Sequence, residues 1–406
     1  MALNRLEKLR KSIYSCKQCS ACRQWDWYDK RLPGFEEGLT KTGFKICPIF
    51  NHTNGFQSDS PKGKMRIGKG IIDDELHLND EIRDKIFQCT QCGNCTEHCP
   101  QNRQEKLDPA KVIRTMREHL LEEGFSLPQG LKDERISGPH NRPITEKWVP
   151  ISKEQGENKC QLAYFPGCTV SSMVSRNYPE IAQSFVALLK KSEVKFGVVR
   201  DGWCCGYQQM VTGQTEVFKT LARNNLKAMK KMGIQKLVLT CSGCYSMFKQ
   251  VYPEILGDDW DIEVVHGVEL LAELINEGKL NLEVPIKQVI TWHDPCDLGR
   301  KSGIYDPPRQ IINSIPGLEL REMPRNRENA ACCGGGGGLK TSNPDISLNI
   351  ALDRLREAEQ TGANELITMC PLCEWNFDDV IKKSSSRLKV NDLTILVAKS
   401  AGIEMV

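Results

Sequence analysis

Two sets of five cysteines repeat the same spacing along this chain. Each set contains a lone cysteine, an adjacent pair followed by glycine, and a C-x2-C pair: Cys168, Cys204-Cys205-Gly206 and Cys241/Cys244, then Cys296, Cys332-Cys333-Gly334 and Cys370/Cys373. Equivalent cysteines lie 128 or 129 residues apart, which indicates one module used twice. Because neighbouring cysteines at this spacing are typical of metal–thiolate sites, we predict a role in electron transfer.

Eight further cysteines form two groups near the amino terminus. The second group is followed by Pro100 and has the spacing C-x2-C-x2-C-x3-C-P, which is the bacterial ferredoxin run for a [4Fe–4S] cluster. In two-cluster ferredoxins the cysteine before proline binds the neighbouring cluster. We therefore predict two cubane clusters, one held by Cys16, Cys19, Cys22 and Cys99, and the other by Cys89, Cys92, Cys95 and Cys47.

The alternatives to iron–sulfur clusters are zinc sites and a disulfide scaffold. Zinc ribbons usually separate two C-x2-C pairs by a dozen or more residues, so the compact triplets match them poorly. A disulfide scaffold is typical of secreted chains. Here the first residues, Met1 to Lys11, are charged and lack the apolar stretch of a secretory signal, which predicts a cytoplasmic protein.

Composition excludes several classes of function. The 55 basic and 52 acidic residues nearly balance, leaving a net charge of +3 without a block of like charge. We therefore predict no nucleic-acid partner. No apolar run reaches about 18 residues, so we expect no membrane span in this chain.

Two stretches of the amino-terminal half each allow two interpretations. The insert from Gln24 to Ile46 is rich in aromatic residues, which predicts a lid over one cluster or, as the alternative, a docking surface for an electron-transfer partner. A stretch punctuated by proline and glycine carries Lys62, Lys64, Arg66 and Lys69. We predict a solvated loop there, with a binding role for its charges as the alternative.

The remaining sequence divides into helices, a linker and two α/β segments. Asp108-Pro109 predicts the start of a helix that runs through Leu120, and the Pro- and Gly-rich stretch 125–158 predicts a linker. Beyond it, the predicted strands are Leu162–Phe165, Phe196–Val199, Lys236–Thr240, Val289–Trp292 and Leu366–Met369, and the predicted helices are Pro179–Lys191, Val217–Met232 and Ile346–Gln360. This alternation predicts an α/β fold with parallel sheets and the domains 1–124, 125–158 (linker), 159–285 and 286–406.

The predicted strands explain why the cysteines should converge. Ligands of open α/β sheets bind beyond the carboxyl ends of the strands, where the lone cysteine and the C-x2-C pair of each copy fall. Gly206 and Gly334 would let the backbone pass close to a cluster. The glycine run 334–338 is not a phosphate loop, because Leu339 occupies the position that the motif needs for glycine. Without any G-x-G-x-x-G stretch, we expect no flavin or nicotinamide in this chain.

The duplicated motif C-x(35)-C-C-G-x(34 or 35)-C-x2-C resembles the cysteine-rich "CCG" domains of heterodisulfide reductase. With the ferredoxin-type segment before it, the chain resembles the D-type subunit of that enzyme. Its layout is also similar to the iron–sulfur subunits of glycolate, lactate and glycerol-3-phosphate dehydrogenases and of the tungsten-type benzoyl-CoA reductase. The resemblance implies one noncubane [4Fe–4S] cluster on the five cysteines of each set, and it leaves only Cys160 without a cluster.

The same resemblance implies a reaction and partners. Splitting a disulfide takes two electrons, and a pair of noncubane clusters could deliver one each. The family often has H-x-x-C-H where this chain has His293-Asp294-Pro295-Cys296-Asp297. His293 is therefore the remaining candidate proton donor, with helix capping or core packing as the alternative role. We expect either a disulfide reductase or an electron relay within an anaerobic multi-subunit complex. The partner would be a flavin-containing or other electron-transfer subunit, or a membrane cytochrome holding the chain on the inner face of the membrane.

Overall fold

A computed structural model describes residues 2–25, 44–131, 160–170, 178–199 and 202–404 of the chain. Most of the aromatic insert and of the predicted linker therefore lies outside the described residues. The chain forms two compact units. The first contains the described residues within Met1–Lys132, Gln208–Thr215 and Pro324–Glu357, and the second contains those within Asp133–Tyr207, Glu216–Met323 and Ala358–Val406.

The amino-terminal part of the first unit is helical. Its helices are α1 Ala2–Glu7, α2 Arg10–Tyr14, α3 Pro48–Asn51, α4 Pro61–Ile72, α5 Asp80–Phe87, α6 Asn94–Glu97, α7 Pro100–Glu105 and α8 Pro109–Glu122, and a short antiparallel pair joins β1 Gln24–Trp25 to β2 Phe44–Lys45. Helix α8 begins as predicted, because the Asp108 side chain accepts a hydrogen bond from the Lys111 amide and Pro109 occupies the first turn. Its apolar face, including Met116, is buried against α1 and α4.

Helix α4 corrects the prediction of a solvated loop. The stretch is a helix, although it contains Gly63, Gly68 and Gly70. A Cβ on Gly63 would lie 1.9 Å from the Gln57 carbonyl oxygen, and one on Gly68 would lie 3.3 Å from the Met116 sulfur. Close packing therefore explains two of these glycines, and Lys64 is buried rather than solvated.

Arg117 on α8 is fully buried and holds together segments that are distant in sequence. Its guanidinium donates to five backbone carbonyls, those of Ile86, Phe87, Cys89, Val211 and Gly337. Because each of the five N–H donors of the guanidinium has a carbonyl acceptor, most of the free-energy cost of removing this group from water is offset. Gly337 packs so closely that an added Cβ would lie 2.1 Å from the Cys89 carbonyl oxygen, which excludes any larger residue there.

The other elements follow in chain order. They are β3 Leu162–Phe165, α9 Pro179–Lys191, β4 Gly197–Val198, α10 Tyr207–Val211, α11 Thr215–Met232, β5 Lys236–Leu239, α12 Ser242–Ser246, α13 Tyr252–Leu256, β6 Glu263–His266, α14 Gly267–Asn276, β7 Gln288–Trp292, α15 Asp306–Ser314, β8 Leu318–Leu320, α16 Leu339–Ser342, α17 Pro344–Glu359, β9 Glu365–Thr368, α18 Pro371–Lys383, β10 Lys389–Asp392 and α19 Leu393–Ser400. A π-helical segment, Met247–Val251, connects α12 to α13.

The second unit contains two four-stranded parallel sheets with the same topology. Their strand orders are β4-β3-β5-β6 and β8-β7-β9-β10. Strand β3 and helix α9 have the predicted bounds, and the α/β class with two parallel sheets is confirmed. The sequence analysis missed β6, β8 and β10. In both sheets the carboxyl ends of paired strands align, as in the pairing of Leu239 with His266 and of Asp392 with Thr368.

His266, at the end of β6, caps helix α14 from a buried position. Its Nδ1 accepts a hydrogen bond from the Val268 amide at 3.2 Å, while its backbone amide donates to Glu269. Nε2 is buried without a partner. Burial disfavours the charged imidazolium and lowers the pKa of His266 to about 3.

We expect His266→Asn to remove part of the acid sensitivity of the fold. The unfolded chain takes up this proton below about pH 6.5, whereas the folded chain resists it until about pH 3. The stabilisation is thus complete above pH 6.5 and is lost as the pH falls. Between pH 8 and 5.5 this amounts to about 1.4 kcal/mol. Asparagine caps helices well without titrating. Urea unfolding at both pH values measures the difference, with exposed His77→Asn as control. An unchanged pH dependence in His266→Asn would contradict this account.

Candidate metal–thiolate sites

Four cysteines of the first unit line one cavity. Cys47, Cys89, Cys92 and Cys95 surround it together with Lys64 and Asn94. Cys47 is the N-cap of α3 and precedes Pro48. Cys89 and Cys92 lie in the loop between α5 and α6, which turns at Gln91 and Gly93, both with positive φ, and Cys95 lies in α6. The loop directs the Gln91 amide at the Cys89 sulfur, at 3.4 Å. This group matches the predicted set Cys89, Cys92, Cys95 and Cys47.

Burial sets the ionisation of these thiols. It raises the pKa of Cys47 to about 12, although the Lys64 charge opposes the increase, and it raises the pKa of Cys95 well above the ordinary value. Buried thiolates without a compensating cation are therefore costly here. A cationic iron core would compensate for the charge, so the donor set fits a metal cluster.

The other amino-terminal group contains Cys16, Cys19, Cys22 and Cys99. Cys99 is the N-cap of α7 before Pro100, as Cys47 is of α3. Burial raises the pKa of Cys99, and the neighbouring Cys16 and Cys19 thiols raise it further. Cys22 lies near both groups. Burial raises its pKa to about 12, and the neighbouring Cys47, Cys16 and Cys99 thiols also raise it. The cross-pairing of the two groups stays a prediction.

The five cysteines of the first repeat form one connected group in the second unit. Cys204 is hydrogen-bonded to Cys168 and Cys205, Cys205 to Cys244, and Cys244 to Cys241. Cys241 lies two residues after the end of β5 and is the N-cap of α12. Hydrogen bonds from the Cys204 and Cys244 thiols lower the pKa of Cys205. Convergence at the carboxyl ends of the strands is what the α/β arrangement predicts.

The glycine after the first cysteine pair has a packing role that the sequence did not reveal. Gly206 has a φ of +81°, and an added Cβ would lie 2.5 Å from the Phe218 ring. The Gly206 backbone amide is also hydrogen-bonded to the Cys204 thiol. Gly167 borders the thiol group as well, since a Cβ there would lie 3.2 Å from the Cys244 sulfur. In the second repeat Gly334 has a φ of +83° and donates its amide to the Cys332 sulfur at 3.2 Å.

The cysteines of the second repeat belong to both units. Cys296, Cys370 and Cys373 lie in the second unit, and Cys332 and Cys333 lie in the first. Within the second unit Cys370 is hydrogen-bonded to Cys241 of the first repeat, which raises the pKa of Cys370 to about 12. Within the first unit the Cys332 thiol is hydrogen-bonded to Cys333 and to Cys92. Thiols of different predicted sites are thus in contact twice.

His293, the candidate proton donor, follows β7 and is buried. A ring nitrogen lies within 4.8 Å of the Cys373 sulfur, and the ring packs edge-on against Phe377 at 5.0 Å. Cys160, the cysteine outside the clusters, is half-buried and donates its backbone amide to the Met232 carbonyl just before β3.

Comparisons with known proteins identify the family. The model of the 4Fe-4S dicluster domain matches residues 12–103, and that of the cysteine-rich CCG domain matches residues 162–249 and 290–378. Over 406 aligned residues the chain is 32% identical to the D-type subunit of the dihydromethanophenazine:CoB–CoM heterodisulfide reductase of Methanosarcina mazei, covering 96% of this chain and 94% of that protein. The chain belongs to the family of heterodisulfide reductase D-type subunits. The predicted resemblance is confirmed.

Two further similarities extend beyond this D-type family. The EtfAB:quinone oxidoreductase of Syntrophomonas wolfei is 28% identical over 95% of this chain, which spans 58% of that protein. A hypothetical protein from Helicobacter pylori has a solved structure with a TM-score of 0.61 and 14% identity, covering 100% of this chain and 76% of that one. The second similarity shows a shared fold.

Asp297 directly follows Cys296 of the second repeat. It is buried and accepts hydrogen bonds from Lys301 Nζ at 2.7 Å and Ser246 Oγ at 3.2 Å, and also from the Tyr207 hydroxyl. Burial, followed by the negative charge of Asp297, raises the pKa of Tyr207 well above its usual value. The sequence analysis missed Tyr207, Ser246 and Lys301, because they come from different segments.

Lys64 was predicted to lie in a solvated loop for a different reason. Gly68 and Ile71 follow it at helical spacing and are also buried, so the periodicity contained the signal. The glycines and Pro61 obscured that signal by suggesting a loop.

We expect Cys99→Ser to remove the cluster of the Cys16 group and to spare that of the Cys89 group. Loss of one four-iron cluster would lower the iron content by about four per chain. Iron analysis and low-temperature EPR measure the loss, and Cys47→Ser, at the equivalent position before a proline, should remove the other signal. If Cys99→Ser instead abolished the signal that depends on Cys89, the cross-pairing would be wrong.

Proposed function

We propose that this chain is the iron–sulfur oxidoreductase subunit of a heterodisulfide reductase-type complex and that it reduces a disulfide. Cys16, Cys19, Cys22 and Cys99 would hold one cubane cluster, and Cys47, Cys89, Cys92 and Cys95 the second. The five cysteines of each repeat would hold one noncubane cluster. The iron–sulfur and 4Fe-4S character follows from the family, whereas the number and type of clusters are part of this proposal.

The contact between thiols of neighbouring sites carries the proposal. Cys92 of the ferredoxin-type segment is hydrogen-bonded to Cys332 of the second repeat, and Cys370 of the second repeat is hydrogen-bonded to Cys241 of the first. Ligands that touch would bring the bound groups close enough to exchange electrons. A zinc or purely structural role would not require such contacts.

Each bound cluster would supply one electron at a time. Reducing a disulfide consumes two electrons and two protons and releases two thiols. The buried His293 has a ring nitrogen within 4.8 Å of the Cys373 sulfur, which makes it the candidate donor to a substrate sulfur at this site. Asp297 is less suited to this role, since its carboxylate accepts from Lys301 and Ser246.

The chain needs a partner that supplies electrons. The M. mazei relative is named as one subunit of its enzyme, so we propose a flavin-containing or cytochrome-type subunit as the donor. No helix among the described residues is both long and apolar enough to cross a bilayer. Attachment at the inner face of a membrane would then depend on the partner, with the chain itself in the cytoplasm.

A relay without chemistry of its own is the second candidate function. The observation in its favour is Asp297, which replaces the histidine of the D-type family by a carboxylate engaged with a lysine. The relative from S. wolfei is named for a quinone reaction rather than a disulfide. In this alternative the same cysteines would pass electrons to chemistry on another subunit.

Anaerobic purification with iron, sulfide and turnover assays tests both candidates. Four clusters predict about sixteen irons per chain and broad absorption near 400 nm. Reduced viologen with a panel of disulfides should then give turnover. Full iron content without turnover would leave only the relay, whereas a colourless, iron-free protein would refute both.

We expect His293→Gln to lower disulfide turnover by about a hundredfold while leaving the iron content unchanged, because it removes a proton donor. His98→Gln serves as the control and should leave turnover unchanged. The His98 ring is hydrogen-bonded to Asn94 and Asn329 and does not lie beside Cys373. Loss of iron in His293→Gln would show that the residue is a ligand and would contradict the role as donor.

A further inference from the structure

Lys64 is a buried cation in the wall of the Cys47/Cys89/Cys92/Cys95 cavity. It is 1% exposed and lines that cavity with the four cysteines. Removing an ammonium group from water costs several kcal/mol unless an opposite charge or a full set of hydrogen bonds compensates. The position therefore requires a compensating group.

The described residues compensate Lys64 only in part. Its ammonium donates to the carbonyls of Gln88 at 2.5 Å and Asp59 at 3.3 Å, which accounts for two of three hydrogens. The Asp59 carboxylate is occupied elsewhere, by Lys85 at 2.5 Å and Thr53 at 2.9 Å. Arg117, by contrast, has one carbonyl for each of its five donors.

The charge of Lys64 acts on the thiols of the cavity. Burial lowers the pKa of Lys64, and among the groups that oppose this, Cys89 and Cys47 come first. Lys64 in turn is the largest influence that lowers the pKa of Cys47. An anionic group held by these four cysteines would thus supply the missing compensation.

The helix holds Lys64 in place. Ser60 caps α4 by accepting from the Gly63 amide at 3.2 Å, and Gly63 and Gly68 pack without space for a side chain. These contacts fix the backbone at Lys64, and the hydrogen bonds to the Gln88 and Asp59 carbonyls hold its ammonium. The cation is therefore preorganised at this site.

The described cations near the second amino-terminal group are less buried than Lys64. Arg23, directly after Cys22, is half-buried with its Nε shielded from water, and its guanidinium lies over the Phe50 ring at 4.9 Å. Cys19 is exposed, and nearby Lys62 is only half-buried and donates to Ser20 Oγ at 2.8 Å. At the same separation, two charges interact about four times more strongly in a protein environment with an effective dielectric constant of 20 than in water. Lys64 therefore outweighs Lys62 in its effect on a neighbouring cluster.

We propose that Lys64 raises the reduction potential of the cluster held by Cys47, Cys89, Cys92 and Cys95, and so makes that site the electron acceptor of the amino-terminal pair. The inference rests on the proposed function, since it needs both cubane clusters. A positive charge stabilises the more negative, reduced state. One electron moves from the Cys16/Cys19/Cys22/Cys99 site, refilled by a one-electron donor, to the Lys64 site. No proton moves, and Lys64 remains an ammonium.

The test is a redox titration of the anaerobic full chain followed by EPR. Lys64→Met should lower the equilibrium constant for reducing this cluster about tenfold, which corresponds to about 59 mV for one electron. Lys64→Arg keeps the charge and should stay within threefold of the wild type. Exposed Lys69 on the same helix provides the matched control, Lys69→Met, with no shift.

Two outcomes would overturn the role of Lys64. One is a shift below threefold in Lys64→Met at the iron content of the wild type, and the other is an equal shift in Lys69→Met. If Lys64→Met fails to retain this cluster, the reduction potentials of Lys64→Gln and Lys64→Arg are compared instead, because these two variants also differ by the positive charge. Absence of cubane signals in the wild type would instead refute the proposed function, so the two failures are distinguishable.

Discussion

The cost of ionising a buried thiol is the constraint on which the rest of this structure depends. Cys22, Cys47 and Cys370 have pKa values raised to about 12, chiefly by burial in the first two and by the Cys241 contact in the third. Groups of cysteines kept away from water are stable only as neutral thiols or as ligands of a cation. The fold brings many such thiols together, so a cationic iron core is the group that best fits this set of cysteine ligands.

Polar groups in the interior of the first unit are arranged to meet this constraint. Arg117 binds the carbonyls of Cys89 and Gly337, which fixes the cysteine loop and the glycine run in one place. The glycine run is needed there because Gly337 leaves no space for a Cβ against the Cys89 backbone. Lys64 adds a positive charge beside the same loop. The scaffold thus controls both the position of the thiols and the field around them.

In the second unit the parallel strands have the corresponding role. Cys241 follows β5 and Cys370 follows β9, and each is the N-cap of the next helix. The two repeats meet through these residues, and Ser242 also donates to the Met369 carbonyl at 2.8 Å. Asp297, held by Lys301, Ser246 and Tyr207, places a buried carboxylate next to Cys296.

The sequence alone determined the duplicated module, the α/β class, the family and the bounds of β3 and α9. These depend on cysteine spacing and on local apolar periodicity, which are visible without coordinates. Tertiary structure decided which thiols touch, as for Cys92 with Cys332 and Cys241 with Cys370. It also decided that Lys64 lies in a buried helix and that Gly206 makes room for Phe218. Such outcomes depend on packing between segments far apart in the chain, and burial by a distant segment leaves little trace in the local sequence.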